Sequence, residues 1–305
     1  MIEETETWRS SLDERLVGDF LGRHSADVEE EIRKAAAVEI MPRFRRLAEH
    51  EVDQKSGPHD LVTDADRLAE RHLTNALGAL LPGSVVVGEE AVHANPLVYE
   101  ALQGESPVWI IDPVDGTRQF VHGDPGFCTL VALAHRGVVL ASWTYAPAHD
   151  QLATAVRGQG AFLDGTRLRS GAPEPDRPLE VAVSHPDFTT DEQKRALLGL
   201  WTDGVAPRSC GSAGLEYLAV ARGEVDATAF SWEAAWDHAA GLLLVEEAGG
   251  AQLTLTGAPF RITGGNSLPF TAARDAATAQ KVAGLLSGTA GPGPHPGTGD
   301  PAPAS

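Results

Sequence analysis

Apolar positions along the chain follow two different periods. From Asp27 to His50, the residues Val28, Ile32, Ala35, Ala36, Ile40, Phe44 and Leu47 recur near helical spacing, which predicts an amphipathic helix kinked at Pro42. A second helix is predicted from Thr63 to Leu80 or Leu81: Leu68, His72, Leu73, Ala76, Leu77 and Leu80 share a face, Thr63 and Asp66 have capping-box spacing, and Leu81-Pro82-Gly83 ends it. Ser84–Gly88 and the run beginning Val108-Trp109-Ile110-Ile111 are short and continuously apolar, the pattern of strands buried on both faces. Runs at Cys128–Ala134, Val138–Tyr145 and Gln151–Ala155, joined by tight turns, read as an antiparallel meander.

The later part of the chain mixes both periods. Strands are expected at Leu179–Ser184, Val225–Phe230, Gln252–Leu255 and Arg261–Thr263. Helices are expected at Thr190–Trp201, Ser212–Arg222, Asp237–Ala248 and Ala272–Leu286, the second and third closed by Gly223 and Gly249-Gly250. The chain therefore reads as α/β (α+β). It divides into a variable arm (1–26) with a short helix near Ser11–Leu21, an N-terminal α+β half (27–150), a C-terminal α/β half (151–287) and a disordered Gly/Pro tail (288–305). The prolines of Ser170–Arg177 mark a boundary region between the halves.

Composition narrows the function. With 305 residues there is room for one large or two modest cores. A net charge of −19 excludes a general nucleic-acid binder, and it suits an anionic substrate only if divalent cations invert the field locally. No apolar run approaches the roughly 18 residues of a membrane span, and Met1–Glu6 is acidic and unlike a secretory leader. Cys128 and Cys210 follow no metal-ligand spacing, so a reducing, cytoplasmic setting is expected.

The chemistry concentrates where apolar runs stop. The run from Val108 ends at Asp112, and Pro113 cannot continue the ladder, so a turn is predicted that carries Asp112 and Asp115. Two unpaired carboxylates at a buried strand end repel unless a cation lies between them. Ser84–Gly88 also ends in acids, Glu89 and Glu90; if the two strands are neighbours, all these acids share one sheet edge. Gly116 permits close backbone approach and Thr117 adds a hydroxyl. Each acid also has a plainer reading: Asp66 and Asp237 as helix N-caps, Glu89 as a solvated strand end, one of Asp112 and Asp115 as a turn residue. An all-oxygen donor set spread over the chain suits Mg²⁺ or Mn²⁺ better than a single calcium loop.

The stretch Asp112-Pro113-Val114-Asp115-Gly116-Thr117 is similar to the D-P-x-D-G-T signature of the inositol monophosphatase family of metal-dependent, lithium-sensitive phosphatases. Leu61-Val62-Thr63 leading to Asp66, Gly88-Glu89-Glu90 and Trp236-Asp237-His238-Ala239-Ala240-Gly241 occur in the family's order, so the resemblance spans Asp27 to Leu286. It implies a layered αβαβα sandwich of the inositol monophosphatase and fructose-1,6-bisphosphatase type, assembled as a homodimer. It also implies hydrolysis of a small phosphorylated metabolite by in-line attack of an activated water, with two or three Mg²⁺ ions and no phosphoenzyme.

By that resemblance, Glu89, Asp112 and the carbonyl of Val114 hold one ion, Asp112, Asp115 and Asp237 a second, and Glu89 supports a weaker third. Asp66 and Thr117, with Glu89, form the catalytic set; Asp115 and the amides of Gly116 and Thr117 face the phosphate. Lys55 aligns with a loop lysine near the metals. Ser212, Ala213 and His238 are candidate pocket residues whose plainer reading is packing or capping.

The resemblance weakens at the leaving group. Inositol-specific members carry an acid seven residues before the metal-binding Asp of the W-D motif; here that position is Phe230, with Glu233 as a displaced substitute. Arg118-Gln119 also departs from the usual residues, and the arginine resembles the histidinol-phosphatase branch. The expected substrate is a polyol or metabolite phosphate like inositol 1-phosphate, with histidinol phosphate, fructose 1,6-bisphosphate and 3′-phosphoadenosine 5′-phosphate as rivals. A non-catalytic regulator binding protein or RNA on the same fold is the alternative class.

Overall fold

The computed structural model describes residues 13, 15–55 and 61–288, so most of the expected Gly/Pro tail and the first twelve residues of the expected arm lie outside the described residues. A π turn, Leu16–Phe20, runs directly into helix α1 (Leu21–Ala35), and a second π turn, Ala36–Ile40, ends it. The helix thus begins and stops earlier than the Asp27–His50 pattern predicts. Pro42 has no amide to donate, so the helix ends at this point instead of kinking, although Met41 before it keeps helical angles. The arm is also shorter than expected: Leu16, Phe20 and Leu21 are buried, and Phe20 meets Trp109 edge-on at 6.1 Å. Asp13 is tied to His135 at 2.6 Å.

Strands β1 (Val52–Gln54) and β2 (Leu61–Thr63) pair antiparallel and lead into α2 (Asp64–Leu80). Strand β3 (Val85–Gly88) passes at once into the short helix α3 (Glu89–Ala94). Then come β4 (Val108–Asp115), the short helix α4 (Thr117–Val121), and the meander β5 (Cys128–His135), β6 (Val138–Ala146), β7 (Gln151–Val156), β8 (Gly160–Leu163) and β9 (Thr166–Arg167). Strands β3 to β9 form one seven-stranded sheet in sequence order, parallel only between β3 and β4. The division expected at 150/151 falls in the β6–β7 turn inside this sheet. The chain leaves the sheet after β9, and 168–178 carry it to a second one.

The second sheet has the order β11-β10-β12-β14-β13 and takes β10 (Leu179–Val183), β11 (Val205–Ser209), β12 (Ala227–Phe230), β13 (Ala251–Thr254) and β14 (Phe270–Ala273). Helices α5 (Asp191–Leu197), α6 (Ala213–Arg222), α7 (Ala235–Glu247) and α8 (Ala276–Leu286) connect or follow these strands. Three features differ from the sequence pattern. Arg261–Thr263 is not a strand. Ala272 and Ala273, good helix formers, instead close β14, because pairing with β12 and β13 on both sides overrides local propensity. Helix α8 starts after Asp275, whose carboxylate accepts from Thr278 N at 2.7 Å. Strand β11 contains Pro207 and is tolerated because it lies at the sheet edge.

Alternation along the strands builds the layers. In β4, Trp109 and Ile111 pack with α1 and α2, whereas Val108 and Ile110 pack on the opposite face with α6 and α7. Phe230 and Phe270 of the second sheet join α6 and α7 from the other side, and its remaining face packs on α8. The result is an αβαβα sandwich. Helix α7 is apolar all round from Ala239 to Val245, as a helix between two sheets must be. Its closest approach is at Gly241, where a Cβ would stand 2.0 Å from Tyr217 Cδ2 of α6. Gly241→Ala is therefore expected to destabilise the protein by about 3 kcal/mol, since neither packed helix can retreat. A denaturant midpoint equal to that of the wild type would contradict this packing.

Candidate metal centre

Strands β3 and β4 run parallel with Gly88 opposite Ile111, so the residues next after that pair, Glu89 and Asp112, lie at the same sheet edge. The expectation that both acidic strand ends are neighbours is met. The β3–α3 junction is held by Glu70 of α2, whose two carboxylate oxygens accept from the amides of Glu90 and Ala91 at 2.8 Å each. Glycine is needed at position 88 because a Cβ there would lie 2.3 Å from the Glu70 carboxyl carbon.

Strand β4 does not stop at Asp112. It continues to Asp115 through a bulge: Asp112 pairs with Leu130 and Asp115 with Cys128, so three steps on one strand face two on the other. Pro113 sits inside the bulge, where its missing amide costs no ladder bond, and its carbonyl accepts from Thr129 Oγ1 at 2.8 Å. The bulge turns Asp112 and Asp115 toward one point. Gly116 then takes φ +90° with Gly126 O only 3.0 Å from where a Cβ would be, a position that only glycine fits.

Two carboxylate groups result. Asp112, Asp115 and Asp237 each offer an oxygen within 4.8 Å of the others, and so do Asp66, Glu89 and Glu90. Asp237 lies in the first turn of α7, not at its N-cap, which is Ala234; its Oδ2 accepts from Trp232 Nε1 at 2.7 Å. Asp115 is oriented by Ser212 Oγ at 2.5 Å, Gly214 N at 2.6 Å and Ala213 N at 3.2 Å. Lys55 Nζ bridges Glu89 at 2.6 Å and Glu90 at 2.5 Å.

The electrostatics follow from burial and crowding. Burial and the charges of Glu89, Asp115, Asp237 and Asp66 hold the Asp112 carboxyl well above the usual range. Burial lifts Glu89 to about 8 against the pull of Lys55, and burial with the Asp115 charge lifts Asp237 to about 7. Burial raises Asp115 too, opposed by its donors from Ser212 and Gly214. Oxygen donors that repel one another this strongly fit a hard divalent cation.

A pH-dependent stability follows for the metal-free protein. Folded values above the unfolded ones mean that the folded state keeps protons the unfolded chain has released. The stability contributed by the cluster is thus complete below about pH 4 and is lost as pH rises through 7 to 8. Chelated protein is expected to melt at lower temperature at pH 8 than at pH 5. Mg²⁺ at about 100 times its Kd is expected to raise the Tm at pH 8 by about 5–10 °C, and by less at pH 5. A metal-induced shift of equal size at both pH values would count against the cluster as the binding site.

Asp66 takes up both roles that its position allows. Its Oδ2 accepts from Thr63 N at 2.8 Å and Thr63 Oγ1 at 2.6 Å, completing the capping box, while its Oδ1 lies 3.2 Å from Thr117 Oγ1. Burial, with the Glu90 charge adding to it, raises its carboxyl to about 6 even though the Thr63 donors pull it down. Thr117 Oγ1 is also 2.9 Å from Val114 O.

Of the other candidates, Ala213 lines the cavity over the carboxylates, and the rest are engaged in packing or capping. Ser212 is buried and caps α6, so with the Ala213 amide it serves Asp115 before any ligand. His238 faces away from the carboxylates: Nδ1 meets Tyr217 Oη at 2.9 Å and Nε2 meets Trp232 O at 3.0 Å, and burial drops its pKa to about 3. Neutral imidazole with Nε2–H donating to Trp232 O satisfies both contacts. Phe230 is fully buried against Tyr217, Trp232 and Phe270. Glu233 is engaged with Asn266, accepting from its amide and its side chain at 2.9 Å each. Sequence reasoning passed over Glu90, although it is the second acid of Gly88-Glu89-Glu90, and it had no signal for Glu70 or Trp232, whose parts arise from contacts between elements.

A cavity of about 560 Å³ opens over the carboxylates, with Lys55, Glu89, Asp115, Gly116, Thr117 and Asp237 among its lining residues. Paired carboxylate clusters at a strand-end bulge, under a cavity in an αβαβα sandwich, define the class of metal-dependent phosphatases. Residues 23–286 match the inositol monophosphatase family, and the chain belongs to that family. Inositol-1-monophosphatase of Rhizobium meliloti is 39% identical over 202 residues, covering 64% of this chain and 72% of that protein. The Nus factor SuhB of Pseudomonas aeruginosa is 34% identical over 239 residues, covering 73% and 83%. The solved IMPase structure from Thermotoga maritima superposes with a TM-score of 0.72 at 28% identity, covering 88% of this chain and 98% of that one.

Proposed function

We propose that the protein is a Mg²⁺- or Mn²⁺-dependent phosphomonoesterase that hydrolyses a small phosphorylated metabolite. The observation that carries this reading is the contact of Thr117 with Asp66, a member of one of the two carboxylate clusters. In this reading Glu89, Asp112 and the Val114 carbonyl hold one ion, and Asp112, Asp115 and Asp237 another. When bound, the ions supply an activated water and neutralise charge on the phosphoryl and leaving oxygens.

The protein's own residues handle the proton. Thr117 has one hydroxyl hydrogen and two acceptors in reach, Val114 O at 2.9 Å and Asp66 Oδ1 at 3.2 Å. If Val114 O is committed to a cation, the hydroxyl turns to Asp66 and its lone pairs face the cavity, ready to accept from the attacking water. The water oxygen forms the new P–O bond, its proton passes through Thr117 to Asp66, the ester P–O bond breaks in line, and the leaving oxygen takes a proton from solvent. Gly116 and Thr117 line the cavity, and in this reading their backbone amides would receive the phosphate.

The test is phosphate release from a panel of monoesters with Mg²⁺ and with chelator. Release that requires the metal supports the reading; release unchanged by chelation overturns it. A second reading, a regulator that acts by binding a macromolecular partner, is favoured by the similarity to SuhB. It predicts partner capture that survives loss of Asp112, whereas the hydrolytic reading predicts turnover that does not.

A further inference from the structure

Asp112, Asp115 and Asp237 converge, but they are held in different ways. Asp115 accepts from the Ser212 hydroxyl and from the amides of Ala213 and Gly214, all at the start of α6. Asp112 accepts from Val114 N inside its own bulge. Asp237, in the first turn of α7, is met by a side chain: its Oδ2 accepts from the indole of Trp232, five residues earlier in the stretch that joins β12 to α7. That stretch is irregular, so packing, and not a backbone ladder, has to aim the indole.

Three buried neighbours do so. The Trp232 ring packs on Phe230 with centroids 4.6 Å apart and on His238 at 5.1 Å. The Trp232 carbonyl accepts from His238 Nε2 at 3.0 Å, and His238 Nδ1 accepts from Tyr217 Oη at 2.9 Å. Phe230, His238 and Tyr217 are fully buried, so Trp232 is gripped at its backbone and at its ring. A chain of hydrogen bonds thus runs from Tyr217 of α6 through the imidazole to Trp232, and the indole ends it on Asp237. An indole nitrogen can only donate, so it neither ligates a cation nor competes with Asp237 for one. What it does is oppose repulsion. Three ionised carboxylates with oxygens within 4.8 Å of one another drive the least anchored of them out of the cluster, and a ligand that must be brought back costs affinity.

We propose that Trp232 is a positioning residue for the ion shared by Asp112, Asp115 and Asp237: its indole N–H holds Oδ2 of Asp237 and so turns Oδ1 to the ion, and metal affinity is set in part by a residue that touches no ion. The inference rests on the reading of that cluster as a metal site and on no particular substrate.

The test is a Mn²⁺ titration of the metal-free full chain, followed by electron paramagnetic resonance of the free ion. Trp232→Phe removes the donor and keeps a ring; replacing Trp232 with 3-benzothienylalanine exchanges the N–H for sulfur at nearly constant shape. Both are expected to weaken Mn²⁺ binding about tenfold. Hydrolysis by the sulfur isostere is expected to need about tenfold more Mg²⁺ and to reach the wild-type kcat once Mg²⁺ saturates, a split that a merely structural role would not produce. Unchanged Mn²⁺ affinity in the isostere, or a loss of kcat that Mg²⁺ does not restore, overturns the inference; so does a wild-type chain that binds no Mn²⁺. If Trp232→Phe does not fold, the isostere decides alone. If the wild type binds Mn²⁺ and turns over no ester, the phosphomonoesterase reading fails and the Mn²⁺ titration still decides the inference.

Discussion

Asp112→Asn is expected to lower kcat/KM by about 10³-fold or more while leaving the protein folded. Asp112 lies in β4, one residue beyond the pairing of Ile111 with Gly88, and stands in the cluster with Asp115 and Asp237; in the hydrolytic reading it is the carboxylate that both ions would share. Asparagine has almost the same shape and keeps an oxygen that can accept from Val114 N, now 3.0 Å from Asp112 Oδ1. The bulge therefore survives and the charge does not. Burial and four neighbouring acids already disfavour that charge, so the metal-free variant is expected to melt at or above the wild-type temperature. Circular dichroism and phosphate release on the same preparation check both halves. Wild-type turnover in the variant would remove Asp112 from the site; collapse of the fold would assign it a structural role.

Asp66→Asn separates capping from chemistry. Asparagine has one oxygen where Asp66 uses two: one for the Thr63 amide and hydroxyl, the other for Thr117. If the oxygen stays with Thr63, the side-chain NH₂ faces Thr117, and the threonine proton must turn to Val114 O. The path for the water's proton is then closed. Activity is expected to fall by about 10²- to 10⁴-fold, with stability changed by about 1 kcal/mol. Thr63→Ala is the control: it removes the cap hydroxyl at similar cost in stability and leaves the Asp66–Thr117 contact in place. Equal losses of activity in the two variants would mean that Asp66 serves only the helix.

Local signals account for much of the molecule. The capping box at Thr63, the strand residues that lead into Glu89 and Asp112, and the glycine closing α6 at Gly223 are short-range features, and the structure has them where the pattern places them. Expectations failed where a distant partner decides. Ala272 and Ala273 join a strand because β12 and β13 flank them, and Arg261–Thr263 stays a turn. Pro113 looked like a strand stop, and the bulge against β5 absorbed it. Ser212 and Ala213 both donate to Asp115, on another layer; Ala213 also lines the cavity, as its expected pocket role requires, whereas Ser212 is not among the lining residues.

The order of residues along the chain is enough to specify the set of acids and the elements that lead into them. Apolar periodicity specifies strands and helices, and a carboxylate at the end of a buried run is costly unless something is bound there. Family membership followed from the same motif residues. Only packing decides which acids share a cluster, that Glu90 and Lys55 join Glu89, that His238 is a neutral packing residue, and that aromatic side chains line the cavity. The reason is that periodicity reports which face of an element is buried, whereas distance between side chains is set by how whole layers pack. No local pattern records that Trp232 hydrogen-bonds Asp237, or that Phe188 reaches the same cavity from the second sheet.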